Sequence, residues 1–339
     1  MSRSASKGII SIALALLGFG AWSLIIGQLV GVLVQTVVYW IVVPWRPAFQ
    51  FQRKVARTLL TYGGSVVSIE GLGILLLNAD YLFIGRYMGA AALGVYTLAF
   101  RVPELLVKQF CNIVGNVTFP VYSQMRDDPE ALRKSFLVTM RYLTMLTIPM
   151  GLGLVLVAEP FVLTFFTAKW TEAIPVMAAI SIYTLLRSLV FNSGSVYKAV
   201  GKPGLLSRLS LIQALVTVPA LWWTAVTYNT ILAIAWMQVL LALLAGSMKL
   251  YMAARLVDIK LWDLLQTFLP SLAAGSVMAL AIWVSSQFLT DAIPVVALVV
   301  ETAVGALVYG GTILLLQKEE VLRASTVLRM AFLPGASRV

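Results

Sequence analysis

The residues best placed to do chemistry lie on one stretch. Arg101, Glu104, Lys108, Asn112 and Gly115 follow one another at intervals of three or four, a spacing that puts all five on one face of an α-helix. Leu98, Val102, Leu106 and Ile113 fall on the opposite face. The surrounding sequence is apolar enough to be a membrane span over Ala92–Thr118. A charged side chain at the centre of a span costs roughly 2.5–3.5 kcal/mol, so three of them against lipid would cost about 9 kcal/mol. They must instead face one another, partner helices or a water-filled cavity. Two readings remain open: an ion-pair lattice that keeps helices in register, and the wall of a solute pathway.

Other polar residues sit inside apolar segments. Arg187 is followed by Ser188, Asn192, Ser193 and Ser195, which makes that segment polar enough to line the same cavity. Glu70 stands alone in mid-span beside Gly71 and Gly73, and could hold a proton or sodium ion or simply bond a neighbour. Asp80, next to Asn78 and Tyr81, ends a span at the outer interface; an ion-coupling role and a capping role both suit it. Glu301 and Arg141 read as structural, the latter near the cytoplasmic end with its charge reaching the interface.

Several chemistries have no residues to run them. The chain contains no His and a single cysteine, Cys111, so it has no imidazole base, no disulfide within the chain and no Cys/His metal site. No G-x-x-x-x-G-K-[ST] run is present, which removes the usual phosphate loop for ATP. No cofactor and no enzymatic activity are expected.

The elements that must position these residues are membrane helices. Apolar residues make up 60% of the 339 and charged residues only 12%, about half the ~25% of a soluble domain. Hydropathy predicts an all-α polytopic membrane protein with about ten transmembrane helices: Lys7–Trp22, Leu24–Val43, Leu59–Ile84, Ala92–Thr118, Phe136–Val157, Ile174–Tyr197, Leu209–Val226, Ile231–Ala253, Leu264–Phe288 and Ile293–Leu316. A tight turn near Gly20 joins the first two. Most reach the ~20 residues that a bilayer requires.

The formal charge of +11 is explained by basic cytoplasmic loops rather than by nucleic acid. Of the 25 Lys and Arg residues, nineteen fall on the side of the N-terminus. Only Arg86 and Lys169 fall on the other, and four lie within spans. That asymmetry predicts an N-in, C-in topology. Pro149, Gly151 and Gly153 make the Phe136–Val157 helix the most deformable, and a hinge is expected there.

The wording of one stretch resembles a known family. Asp80-x-x-x-Ile84-Gly85-Arg86, then Gly89-Ala90-Ala91-Ala92-Leu93-Gly94-Val95-Tyr96, then Phe119-Pro120, is similar to polysaccharide flippases of the Wzx type, within the multidrug/oligosaccharidyl-lipid/polysaccharide exporter superfamily. Ile148-Pro149-x-Gly151, Ala158-x-Pro160, Trp170-x-x-Ala173 and Ala199-x-Gly201-Lys202-Pro203 continue the agreement, so the resemblance covers nearly the whole chain. It implies two six-helix lobes facing each other across a central cavity, often with two accessory C-terminal helices, working by alternating access driven by an ion gradient.

On that plan residues 1–57 hold the last two helices of a first lobe and a basic loop. Residues 58–256 form a complete second lobe, and 257–339 the accessory pair with a basic tail. The first four helices of the first lobe are expected to be missing from this sequence. The implied substrate is a lipid-linked oligosaccharide, carried on undecaprenyl pyrophosphate across the bacterial inner membrane for surface polysaccharides such as O-antigen or exopolysaccharide. The implied partners are membrane lipids and polysaccharide polymerase or export machinery. In this reading Arg101, Lys108 and Arg187, with Glu104, Asn112 and Asn192, line the substrate cavity. A cation-coupled drug exporter of the same superfamily is the main alternative, although it would call for a more acidic cavity. A membrane-embedded glycan polymerase or ligase would need a larger outer loop than Ala158–Ala173.

Overall fold

In a computed structural model of the chain, residues 2–43, 52–53, 56–57, 74, 76, 78–290, 292–318 and 320 are described. Glu70, one of the two expected coupling carboxylates, lies outside them, as does most of the Leu59–Ile84 span. Two compact units, residues 1–68 and 69–339, are considered separately.

The first unit is a hairpin of α1 (Ser2–Leu16) and α2 (Trp22–Val42). The turn falls at Gly20 as expected, although α1 ends at Leu16, six residues before the expected end of the first span. Gly18 and Gly20 hold φ of +84° and +54°, the left-handed region that side chains resist. Ser23 fastens the turn by donating its hydroxyl to the Gly20 carbonyl at 2.6 Å. The helices approach closely at Gly27, where an added Cβ would lie 3.1 Å from the Lys7 carbonyl oxygen of α1. Small residues of this kind let membrane helices pack backbone against backbone.

In the second unit, helix α3 is described from residue 78 to 87. Gly89, at φ +87°, turns the chain into α4 (Gly89–Pro103). A π-turn, Glu104–Lys108, follows at once and leads into α5 (Gln109–Gln124). Pro103 has no N–H to give back to the preceding turn, and a single wide turn of i→i+5 bonds is a common local response within an α-helix. The predicted uniform helix thus carries an extra residue inside its polar stripe.

Asp128 caps α6 (Pro129–Leu156) by accepting from the Ala131 N–H at 3.0 Å, with Pro129 in the first turn. This capping signal starts α6 seven residues before the predicted Phe136. The expected outer loop is partly helical, as α7 (Ala158–Phe165). Then come α8 (Ala173–Phe191), the short α9 (Ser193–Ala199), α10 (Pro203–Tyr228), α11 (Ile231–Leu256), α12 (Leu261–Phe288) and α13 (Pro294–Leu316). Among the described residues, eight helices are long and apolar enough to cross a membrane, and α1 is not one of them. This is an all-helical, multi-pass membrane protein.

Helix α8 is the hub. Half of its most apolar window is buried, the highest share among the eight. Met177, Ile180 and Tyr183 of α8 pack with Tyr96 and Phe100 of α4 and with Ile234 and Ala235 of α11. Helices α12 and α13 attach to α6, where the Tyr309 hydroxyl donates to the Met145 carbonyl at 2.7 Å. Glu301 of α13 is buried, in keeping with a structural role.

Candidate functional site: a basic cavity on α4 and α8

A cavity of about 680 Å³ opens between α3, α4, the π-turn and α8. Arg101, Glu104, Lys108 and Arg187 line it together, with Asn78, Tyr81, Gly94, Thr97, Leu98 and Phe100. The three-and-four spacing therefore does bring two cations and one carboxylate into one space, and a third cation, Arg187, comes from α8. Lys108 donates to Glu104 across the π-turn. Arg101 has no hydrogen-bond or ion-pair partner among the described residues. The lining carries three positive groups and one negative.

Arg187 is held from below. Its Nη1 donates to the Tyr183 hydroxyl at 3.0 Å, and its guanidinium lies 5.4 Å from the Tyr183 ring centroid. One hydroxyl and one ring face satisfy part of the group, since a guanidinium carries five N–H donors. Tyr183 is itself fixed, 9% exposed and packed against Phe100 at 5.8 Å between centroids. Arg187 lines the cavity and is exposed. Phe100 continues the aromatic layer to Tyr81 and Tyr96, whose rings meet edge to face at 5.5 Å.

Asp80 lies behind that layer and not at an exposed interface. It is 1% exposed. Its Oδ2 accepts from the Tyr96 hydroxyl at 2.8 Å and from Gln238 Nε2 at 3.0 Å, and its Oδ1 accepts from the Tyr81 N–H at 3.0 Å. The difference from the sequence reading is one of length. Helix α3 runs to residue 87, so Asp80 sits about 10 Å inside the helix end at 1.5 Å per residue. Tyr96, a similar distance beyond the Gly89 turn, is brought level with it.

Two expected cavity residues lie elsewhere. Asn192 is fully buried between α5 and the α8–α9 break. It accepts from the Thr118 hydroxyl at 3.0 Å and donates to the Tyr122 hydroxyl at 2.5 Å. Its amide is committed to packing. Asn112 is exposed but outside the lining set. Gly115, at the end of the stripe, is used for close approach: an added Cβ would lie 2.8 Å from Phe191 Cε1. The five-residue projection assumed 3.6 residues per turn throughout, and the π-turn breaks that phase after Glu104. Leu98, assigned to the apolar face, lies in the cavity wall.

The structure keeps Pro149 inside an unbroken α6. Nearby, Gly151 presses on Leu185 of α8, where a Cβ would be 2.8 Å from the Leu185 Cβ, and Gly153 faces open space. Tyr183, Tyr96 and Gln238 escaped the sequence reading because an aromatic or amide on an apolar helix looks like core. Asn78 and Tyr81 carried a signal, as neighbours of Asp80.

The fold places the chain in a recognisable class. It is similar to the lipid II flippase MurJ in an inward closed conformation, with a TM-score of 0.76 at 17% sequence identity, over 94% of this chain and 67% of that one. Residues 1–175 match the polysaccharide biosynthesis protein family, and the chain belongs to it. The teichuronic acid biosynthesis protein TuaB of Bacillus subtilis is 27% identical over 283 residues, 80% of this chain and 57% of its own length. The succinoglycan biosynthesis transport protein ExoT of Rhizobium meliloti is 27% identical over 314 residues, covering 91% and 63%. The lipopolysaccharide biosynthesis protein WzxC of Escherichia coli is 28% identical over 203 residues, covering 59% and 41%. The chain thus spans about three-fifths of the length of the first two relatives.

Proposed function

We propose that this protein takes part in moving a lipid-linked oligosaccharide, borne on undecaprenyl pyrophosphate, across the bacterial inner membrane for surface polysaccharide synthesis. The observation that carries the reading is the basic cavity in a membrane lobe. A pyrophosphate and a hydroxyl-rich glycan cannot cross hydrocarbon unaided, because unpaired polar groups there cost several kcal/mol each. Arg101 and Arg187 offer forked N–H donors suited to phosphate oxygens, and Lys108 adds a point charge that Glu104 tempers. Thr97, Asn78 and Tyr81 supply neutral hydrogen-bonding groups for sugar hydroxyls.

In the proposed mechanism the headgroup enters this cavity while the isoprenoid tail stays in the bilayer, and no bond is made or broken. The lining is more basic than acidic, which favours an anionic headgroup over a cationic drug. Asp80, buried behind the aromatic layer, is the candidate for ion coupling among the described residues. A polymerase or export complex is the natural recipient of the product.

The test is complementation in a strain deleted for this gene, scoring surface glycan and the sidedness of the lipid-linked unit. Arg101→Glu puts a carboxylate where the phosphate would sit. It should reduce export at least about tenfold, the equivalent of one lost charge-assisted contact of ~1.4 kcal/mol, with normal membrane insertion. Unchanged export in that variant would remove the cavity from the pathway.

A further inference from the structure

A second cavity, of about 420 Å³, lies away from the basic one, between α6 and α12. Glu130, Arg133, Lys134, Leu137 and Arg141 line it from α6 at helical spacing, and Asp263, Gln266 and Thr267 face them from α12. Three helix ends meet here: the N-termini of α6 and α12 and the C-terminal end of α13, beyond which Glu320 lies. The charges occur as pairs of opposite sign. Arg133 is bonded to Asp263 across the two helices. Lys134 pairs with Glu130 at 2.7 Å on the open rim, where both side chains are about three-quarters exposed. Arg141 Nη1 donates to Glu320 at 2.6 Å, and the Tyr142 hydroxyl reaches the same carboxylate at 3.2 Å. Glu320, outside the lining, neutralises Arg141, which leaves Arg133 and Lys134 facing Glu130 and Asp263 in the cavity.

That balance decides the chemistry. A free anion would meet as many carboxylates as cations, and an apolar ligand would strip water from the exposed Glu130–Lys134 pair. A ligand carrying both signs a few ångströms apart matches both. The cavity also runs inward. From Glu130, which precedes the Phe136–Val157 span expected from hydropathy, to Arg141 within that span is about 16 Å along the helix at 1.5 Å per residue. Leu137 lies on the way, and at the deep end the Arg141 Nε–H is buried without a partner among the described residues.

We propose that this cavity binds the zwitterionic headgroup of an aminophospholipid, a phosphoethanolamine. The phosphate sits by Arg133 and Lys134, and the ammonium by Glu130 and Asp263. The Arg141 Nε–H reaches a glycerol-ester carbonyl, and the acyl chains leave past Leu137 into the bilayer. The ammonium must be a hydrogen-bond donor, so phosphatidylcholine, whose quaternary nitrogen has no N–H, fits less well. Phosphatidylglycerol offers no cation to the carboxylates. The bound lipid would splint the joint between the lobe and the α12–α13 pair.

The full chain, purified and delipidated in detergent, can be loaded with phosphatidylethanolamine, phosphatidylcholine or phosphatidylglycerol of identical acyl chains and read by native mass spectrometry. Phosphatidylethanolamine should be retained about fivefold better than either of the others. The double variant Glu130→Gln, Lys134→Gln removes only the exposed rim pair and leaves the interhelical contacts, so it should fold. It should bring retention of the three lipids to within about twofold of one another. Arg141→Lys keeps a charge for Glu320 but removes Nε–H, and should weaken retention without changing the order of the lipids. Equal retention of the three by the unmodified chain, a preference for phosphatidylglycerol, or undiminished selectivity in the rim variant would each overturn the assignment.

Discussion

At the scale of single residues, the site separates groups that face solute from groups that hold them. Arg187 touches the cavity, whereas Tyr183 touches Arg187. Tyr183→Phe keeps the ring beneath the guanidinium and loses one neutral acceptor at 3.0 Å, a loss of about 0.5–1.5 kcal/mol. Export in the complementation assay should fall by a few-fold, and Arg187→Ala should fall much further with both proteins inserted equally. Asn192 makes the opposite prediction. Asn192→Ala removes one buried hydrogen bond each from the Thr118 and Tyr122 hydroxyls, at about 0.5–1.5 kcal/mol per bond. Its thermal midpoint in detergent should drop, while export normalised to folded protein stays near wild type. A folded Asn192→Ala protein with an unchanged midpoint and no export would return Asn192 to the cavity.

At the scale of elements, the long helix of residues 89–124 has two halves in different phase, joined by the π-turn Glu104–Lys108. The upper half presents the basic wall, and the lower half seats Gly115 on Phe191. Gly115→Val puts a branched side chain into a gap where even a Cβ is 2.8 Å from the ring, and overpacking of this kind costs roughly 1–3 kcal/mol. Phe191→Leu should return most of that loss in the thermal midpoint of the double variant. Additive losses would mean that the two residues do not meet. Spacing made Arg101, Glu104 and Lys108 legible in the sequence as one face: the first two precede the phase break, and Lys108 closes the π-turn and still reaches Glu104. Asn112 and Gly115 were misplaced because nothing in their own identity reports an extra residue one turn earlier; Pro103 was the sign. The capping pair Asp128–Pro129 was likewise present in the sequence, and reading it would have placed the start of α6. The Asp80 partners Tyr96 and Gln238 lie 16 and 158 positions away, and no local pattern reaches that far.

At the scale of the whole molecule, composition alone specified a helical membrane protein, since 60% apolar residues in 339 leave few other solutions. Sidedness was legible only as a charge bias, and it has a direct test. Lys169 lies in the short turn Ala168–Trp170, and Lys260 immediately precedes α12; both are exposed. The native thiol Cys111 is buried, so background labelling should be low. With an N-in arrangement, a membrane-impermeant maleimide added to spheroplasts should modify Lys169→Cys, and should modify Lys260→Cys only after lysis. The reverse order would invert the topology and put the α6–α12 cavity at the outer leaflet.

The π-turn has one more consequence, which concerns heredity more than mechanics. Losing a single codon between 104 and 108 would leave each half of that helix with its own sequence pattern intact, yet would turn one half against the other by about 100°. The basic wall and the Gly115–Phe191 seat could not then both be kept. The two places are therefore bound to the same count of residues, so a one-codon deletion here should be harder to tolerate than most single substitutions elsewhere on the helix.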